Sequence, residues 1–467
     1  MDFRRRAHAS LADAGLQSKL VSIKGKFVDK RAEAVRELPN FEAMREAGER
    51  IRDAVLADLD CWLEEFERKA TARGAAVLWA RDGQEICRHV IDIARRHGVT
   101  KATKSKSMLS EEADLNAALT AAGIEPVETD LGEYILQIND NEPPSHIIAP
   151  VMHKTKDEVS DLFARVHRRP RKTGITEMAR EAREMLRAHF LSAQMGISGG
   201  NFLIAETGSV ALVTNEGNGR MVTTLPKVHV VITGIEKVIP TLEDLSVLLR
   251  LLTRSATGQT ISNYVSVLTG TRDAQDLDGP EHTYFILVDN GRAGLVGTDF
   301  QPMLRCIRCG ACMNHCPVYQ AVGGHAYGWV YPGPMGSVLT PLFVGLEKAL
   351  DLPYANTLCN QCGVVCPVRI PLPELLRKLR EREVRARLRP LPERIALKLW
   401  AWVAARPALY AVATKLAVRY LNWLAQGRPA IPVLAAASSW TDGRDFPAPE
   451  GRTFRELHAE RNSGRDA

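Results

Sequence analysis

The run Cys306-Ile-Arg-Cys309-Gly-Ala-Cys312-Met-Asn-His-Cys316-Pro317 constrains this chain more than any other stretch. It is followed by Cys359-Asn-Gln-Cys362-Gly-Val-Val-Cys366-Pro367. The first run has the spacing C-x2-C-x2-C-x3-C-P, with which cubane iron–sulfur clusters are held in pairs. Three closely spaced thiolates wrap one cluster, and the fourth, on the next turn, serves the other cluster. On that pattern Cys306, Cys309, Cys312 and Cys366 hold one [4Fe–4S] cluster, and Cys316, Cys359 and Cys362 hold the second. Structural zinc is the rival reading, but such sites pair two short Cys/His knuckles and close with four ligands. Seven cysteines in this order, with proline after each terminal one, fit two cubanes better.

The second run is one thiolate short. A complete copy ending at Cys366 would begin at residue 356, which is Asn. An amide oxygen is a hard, neutral donor and a poor partner for iron among thiolates. The second cluster therefore takes another protein ligand such as His325, or is a [3Fe–4S] cluster, or is a cubane with one open iron.

A chain of 467 residues, 45% of them hydrophobic, can bury sizeable cores and fits two or three domains. Cys61 and Cys87 stand outside the two runs and read as buried apolar fillers, not ligands. Metal-ligand spacing in a reducing compartment explains the cysteines better than a secreted disulfide framework. Arg4-Arg5-Arg6 is not followed by the apolar stretch a secretory or twin-arginine signal needs. Nor is there a long uncharged apolar run of membrane-spanning length. The expectation is a cytoplasmic protein. A net charge of +6 is modest for this length and does not point to nucleic acid.

Residues 1–70 read as a helical, charged extension without chemistry of its own, broken at Pro39-Asn40. From residue 75 short apolar runs alternate with helical ones. Expected strands are 75–79, 134–138, 146–150, 202–205, 210–214, 229–233 and 284–288. Expected helices are 84–97, 158–166 and 176–191. This alternation predicts an α/β domain with a parallel or mixed sheet. No dinucleotide fingerprint G-x-G-x-x-G opens a helix after a strand. Polar runs at Lys101–Glu112, Glu128–Glu133, Pro144–His146, Ala205–Ser209 and Asn215–Arg220 are candidates for an anion or small-acid site beyond the strand ends. The last of these also has the composition of a tight hairpin turn.

Long stretches carry a resemblance to a known family: KSKSM at 104–108, ETDLGEYI at 128–135 and PSHIIAP at 144–150. NFLIAETGSVALVTNEGNGRMVTTLP at 201–226, CIRCGACMNHCPVY at 306–319 and GGHAYGWVYPGPMG at 323–336 extend it. Residues 75–290 resemble the LUD domain, and the chain over nearly its full length resembles the lactate utilisation protein B family. The resemblance implies a mixed-sheet α/β LUD domain like the ribose-5-phosphate isomerase and CoA-transferase group, followed by an α-helical ferredoxin-like module with two [4Fe–4S] clusters and by C-terminal helices. It further implies a part in oxidising L-lactate to pyruvate. The implied partners are a cysteine-rich-domain protein and a second LUD protein.

The expected divisions are an extension at 1–70, the LUD domain at 71–295, the cluster module at 300–388, amphipathic helices at 389–428 and a disordered tail at 429–467. The Gly- and Pro-rich segment 323–336 is expected to pack close to the clusters, with His325, Tyr327 and Tyr331 as packing groups. From Arg377 to Arg428 thirteen Lys or Arg face three Glu, interleaved with Trp400, Trp402 and Trp423. This block suits an acidic partner's docking face, with peripheral membrane contact as the alternative.

Three functions compete on these grounds. The preferred one is an electron-transfer subunit, since no flavin or nicotinamide fingerprint appears. The second has the chain itself bind and oxidise lactate. That would happen at the LUD domain, with Glu206 as base and Arg220 as carboxylate clamp, or at an open iron of the three-Cys cluster acting as a Lewis acid. The third is an assembly scaffold with structural clusters.

Overall fold

The structure, a computed structural model, describes residues 1–434, 441 and 444–463. It divides into two compact units, Met1–Glu383 and Val384–Ala467. The first unit is built on a six-stranded sheet of short segments, some apolar and some not. These are β1 (Ala76–Ala80), β2 (Lys101–Lys104), β3 (Glu125–Glu128), β4 (Met195–Gly199), β7 (Val228–Gly234) and β10 (His282–Val288). Their order is β1-β10-β7-β4-β2-β3, and every pairing is parallel. Parallel strands are covered on both faces, which is why β7 reads Val-His-Val-Val-Ile-Thr-Gly and is buried throughout.

A second sheet, β8-β5-β6-β9, carries the mixed pairing. Here β5 (Phe202–Ile204) runs antiparallel to β6 (Ser209–Thr214) and parallel to β8 (Val238–Ile239), and β9 (Tyr264–Thr269) pairs antiparallel with β6. The polar run Ala205–Ser209 is the turn between β5 and β6. Gly208 adopts φ +68°, and a Cβ there would meet the Ala70 amide nitrogen at 2.3 Å. That turn is structural.

The helix expected at 84–97 spans Gly83–Arg96, started by the Asp82 carboxylate accepting from the Glu85 amide at 2.9 Å. Ile86, Val90, Ile93 and Ala94 form its buried face. Two expected strands are absent. Residues 131–138 form a helix, Leu131–Ile138, because Asp130 accepts from the amides of Gly132 and Glu133 and starts it. Residues 146–150 form turns, since His146 Nδ1 accepts from the Ile148 and Ala149 amides at 3.0 Å each and bends the chain. The hairpin reading of 215–219 is also corrected, because helix Asn218–Thr224 follows β6 there.

One apolar cluster runs from Leu248 and Leu251, on helix Leu242–Thr257, through Phe300 and Leu304 to Tyr319, Val338 and Leu376. The divisions expected near residues 70 and 295 therefore run through shared packing. In the second unit, helices Leu391–Ala404 and Pro407–Ala425 meet at 116°. No single helix among the described residues is long and apolar enough to cross a membrane, although this bent pair passes by length and composition together. The expectation of disorder from residue 429 is corrected for the described part. Ala430–Ile431 pairs antiparallel with Phe446–Pro447, and helix Phe454–Ser463 is started by Thr453, whose hydroxyl accepts from the Glu456 amide. Residues 435–440, 442–443 and 464–467 of that expectation lie outside the described residues.

Candidate functional site

The first cysteine run is a loop with left-handed backbone at Arg308 (φ 59°) and Gly310 (φ 74°). This turns main-chain amides towards sulfur, and Arg308 N–H donates to Cys306 Sγ at 3.4 Å. Ile370 N–H does the same for Cys366 Sγ at 3.4 Å. Cys306, Cys309, Cys312 and Cys366 line one small cavity, closed by Met303, Met335, Val368 and Leu372. Burial pushes the Cys309 thiol up to about 12 and Cys366 to about 11. Sulfurs this buried shed their protons only to a strong local counter-charge, which iron supplies.

The spacing of the ligands also discriminates between metals. Among the described residues, the one group of three ligand atoms within 4.8 Å of each other is Glu142, His153 and His325, which contains no cysteine. Tetrahedral zinc with bonds of about 2.3 Å would hold its sulfurs roughly 3.8 Å apart. The described cysteines stand in wider groups than that.

Cys316 and Cys362 are buried, whereas Cys359 is exposed. The Thr357 hydroxyl and the Gln361 amide hold Cys359 below the ordinary thiol range. Burial, followed by Cys309, Cys306, Cys366 and Cys362, pushes Cys312 well up, so the two cysteine groups are electrostatic neighbours. Asn356 is buried, but its Oδ1 accepts from the Leu358 amide at 2.7 Å, and its Nδ2 lies 4.0 Å from Cys362 Sγ. It shapes the turn and offers that sulfur a donor, not an oxygen ligand. His325 is engaged elsewhere, with Nε2 2.8 Å from the Pro143 carbonyl and its ring against His153. Tyr327, fully buried, carries its hydroxyl beside Cys316. Tyr331 donates to the Glu112 carboxylate.

The N-terminal helices take part in this site, contrary to the expectation of a chemically silent extension. Arg45 donates to the Cys366 carbonyl through Nε at 3.0 Å and Nη2 at 2.8 Å. Arg31 donates to the Val365 carbonyl at 2.9 Å, and Arg52 to those of Val238 at 2.9 Å and Leu304 at 3.0 Å. Arg31 and Arg52 direct their guanidinium groups to backbone oxygens, whereas Arg45 also pairs with the Glu42 carboxylate at 2.8 Å, and Arg31 lies within electrostatic reach of Cys309 and Cys366. The segment Ser145-His146 docks from the other side. His146 Nε2 lies 2.7 Å from Asn314 Oδ1, the Tyr319 hydroxyl donates to the Ser145 carbonyl at 2.8 Å, and Phe27 stacks on His146. Gly324 is required there, because a Cβ would lie 1.8 Å from the Ser145 carbonyl oxygen.

Beside the first run opens a cleft of ≈ 360 Å³, at the carboxyl ends of β2, β4 and β7. Three polar runs converge in it: Ser105, Lys106 and Ser107 after β2, Asp130 after β3, and Asn215, Glu216 and Asn218 after β6. Two further segments were not singled out by residue type, namely Glu236-Lys237 after β7 and Arg308 inside the first cysteine run. Position at a strand's carboxyl end is the signal that would have found the former. Lys237 Nζ donates to the Cys306 carbonyl at 2.9 Å, and burial lowers its pKa to about 7. Arg292 pairs with Glu112 at 2.7 Å and Glu236 at 2.9 Å, and the Arg308 guanidinium lies over the Tyr331 ring.

Glu206 and Arg220 are not among the residues of the cleft. They flank β6 at its two ends, so the strand separates them. Glu206 Oε1 accepts from the Leu242 amide at 2.5 Å, and Arg220 lies over the Tyr264 ring. A base-and-clamp pair is not formed.

Comparisons with known proteins match three stretches of the chain and, for some relatives, nearly its full length. Residues 63–288 match the LUD domain family, 302–370 the 4Fe-4S dicluster domain, and 376–463 the family described as lactate utilisation protein B, C-terminal. The chain is 43% identical to "Lactate utilization protein B" of Geobacillus sp. (strain WCH70) over 467 residues, covering 99% of this chain and 98% of the relative. It is 42% identical to the protein of that name from Bacillus subtilis (strain 168), covering 99% and 96%. A crystal structure of a DUF162 family protein from Deinococcus radiodurans is similar at TM-score 0.27 and 14% identity, covering 50% of this chain and 98% of that one.

Proposed function

The chain belongs to the lactate utilization protein B family, and from that premise we propose that it is the iron–sulfur electron-transfer subunit of an L-lactate-oxidising assembly. Cys306, Cys309, Cys312 and Cys366 would hold one [4Fe–4S] cluster, and Cys316, Cys359 and Cys362 the other. The clusters supply one-electron redox chemistry when bound. The chain supplies thiolates, main-chain N–H donors to sulfur and a dry apolar wall. The observation that carries the reading is the cavity lined by four cysteines, beside a second group that reaches the surface at Cys359. An interior group and a surface group, electrostatically coupled through Cys312, suit a relay between a donor and a docked partner.

The test is anaerobic purification followed by addition of L-lactate, with and without a cysteine-rich-domain partner and a second LUD protein. EPR is expected to show cluster reduction only when the partners are present. Reduction with this chain alone would replace the relay reading with one in which the chain oxidises lactate itself. Clusters that resist reduction at physiological potentials would favour a scaffold.

Arg45, paired with Glu42 at 2.8 Å, sets its guanidinium against the Cys366 carbonyl, and its nearby charge favours the reduced cluster. Arg45→Gln is expected to lower the midpoint of one cluster on the order of 50 mV, a tenfold change in a one-electron equilibrium being about 59 mV. The other midpoint should stay put. An unchanged pair of midpoints in a redox titration would remove Arg45 from this role.

Docking by the basic block is narrower than composition implied. Arg377 pairs with Glu381, Lys378 with Asp299 and Glu374, Arg380 donates to the Pro353 and Asn356 carbonyls, and Arg382 lies 4.1 Å from the Phe300 ring centroid. The exposed cations Lys398 and Arg419, among exposed Trp400, Tyr420 and Trp423, are better placed to meet a partner. Lys398→Glu with Arg419→Glu is expected to weaken partner pull-down in a salt-sensitive manner. Release from anionic liposomes with the complex intact would instead assign this face to a membrane surface.

A further inference from the structure

We propose that the cleft between the strand ends and the first cysteine run binds a small organic carboxylate, anchored by the Lys106 ammonium. The cleft stands where open α/β sheets bind ligands, beyond the carboxyl ends of strands. Its ≈ 360 Å³ lies at the lower end of the range for small-molecule sites. The Lys106 Nζ is buried and has no hydrogen-bond partner in the protein, so a group that accepts from it must come from outside.

None of the acidic residues near Lys106 hydrogen-bonds its ammonium. Burial and then Glu128 push Glu133 well above the carboxylate range, and burial and then Asp130 raise Glu216. On the facing wall the Glu236 carboxylate is taken up by Arg292 at 2.9 Å and faces Arg308 at 3.7 Å. Lys237 adds a further amine. Asp130 and Glu216 share the cleft with Lys106, yet neither accepts a hydrogen bond from its ammonium, and an anion bound there would supply the missing acceptor.

The remaining lining selects the kind of anion. Ser105, Ser107, Asn201 and Thr233 supply short polar groups, while Ile147, Ile307 and Leu252 supply apolar surface. That mixture fits a carboxylate on a carbon body with a neighbouring hydroxyl or oxo group better than inorganic phosphate. Because Arg308 and Ile307 belong to the first cysteine run, the bound acid would touch the loop that holds Cys306 and Cys309. The inference rests on the electron-transfer reading only in choosing 2-hydroxy and 2-oxo acids as probes.

The experiment uses the full chain, purified anaerobically with its iron counted, and titrates L-lactate, pyruvate and inorganic phosphate by calorimetry. At least one of the two carboxylates is expected to bind saturably. Lys106→Met is expected to weaken it about tenfold or more, through loss of a charge-assisted hydrogen bond, and Lys106→Arg to restore part of it. Should Lys106→Met lose iron, Thr257→Phe, which narrows the cleft from its half-buried rim, serves in its place with the same expectation. Equal binding by these variants, binding of phosphate alone, or no saturable carboxylate binding would each overturn the proposal. EPR after dithionite on the same samples keeps the two readings apart. Unreducible clusters would sink electron transfer and leave the binding result standing, whereas reducible clusters without binding would sink the carboxylate site alone.

Discussion

Cys309→Ser is expected to lower the iron content from about eight to about four atoms per chain and to remove one of two reduced-state EPR signals, two cubanes carrying about eight irons. Cys309 lines the four-cysteine cavity and is buried, so the hydroxyl of serine leaves a hard donor where a soft one is needed. The same substitution at Cys61 or Cys87 should leave both signals. Cys61 is not the expected buried filler: it lies exposed on helix Leu59–Ala72, off the face buried by Leu59, Leu63, Phe66 and Ala70, while Cys87 sits half-buried with Sγ 3.3 Å from the Ala113 carbonyl. Two zinc ions per chain without visible absorption would refute the assignment of all seven cysteines.

Arg292→Met is expected to cost about 3–5 kcal/mol of stability, the usual penalty for removing one partner of a buried ion pair. Arg292 is 1% exposed and holds Glu112, which is 0% exposed, and Glu236, which is 3% exposed. Burial would raise the Glu236 pKa, but Arg292, then Lys237 and Arg308, overcome it and hold the group at about 2. The sign of the pH dependence follows. A depressed carboxylate contributes stability that is present above its unfolded value of about 4.3 and is lost as pH falls towards 2. Without Arg292 that depression shrinks, so the acid limb of the stability profile should move to higher pH. Urea unfolding of the iron-loaded protein at pH 7 and across the acid range measures both effects. Adding Glu112→Gln and Glu236→Gln to Arg292→Met should recover part of the loss, because the stranded charges are then gone. A variant as stable as the parent at pH 7 would show that this network carries no net stability.

The cysteine chemistry was legible because it is local. Spacings of two and three residues decide which thiolates can meet on one turn, and the motif itself says that each run completes the other's ligand set. Strands β1, β6, β7 and β10 were legible for a similar reason, since runs such as Val228–Gly234 are apolar enough to name their own environment. The Asp130 start of helix Leu131–Ile138 is equally present as Asp-Leu-Gly-Glu, but the adjacent apolar run Tyr134-Ile135-Leu136 reads locally as a strand.

Tertiary structure alone decided the rest. Lys101–Lys104, Glu125–Glu128 and Met195–Gly199 carry lysine, glutamate, proline and glycine, which locally favour no strand. They become strands because parallel neighbours on the sheet satisfy their amides and carbonyls. In the same way Arg45, Arg52 and Arg292 look like ordinary surface cations in the sequence. They are buried because distant carbonyls and carboxylates fold against them. The cleft joins Lys106, Glu216, Lys237 and Arg308, which stand far apart along the chain. Each joins it by ending a strand or closing a loop, and that meeting depends on strand order, which residue type does not encode. A metal-binding turn is specified within a dozen residues, whereas a cleft between sheet and loop exists only once the whole first unit has packed.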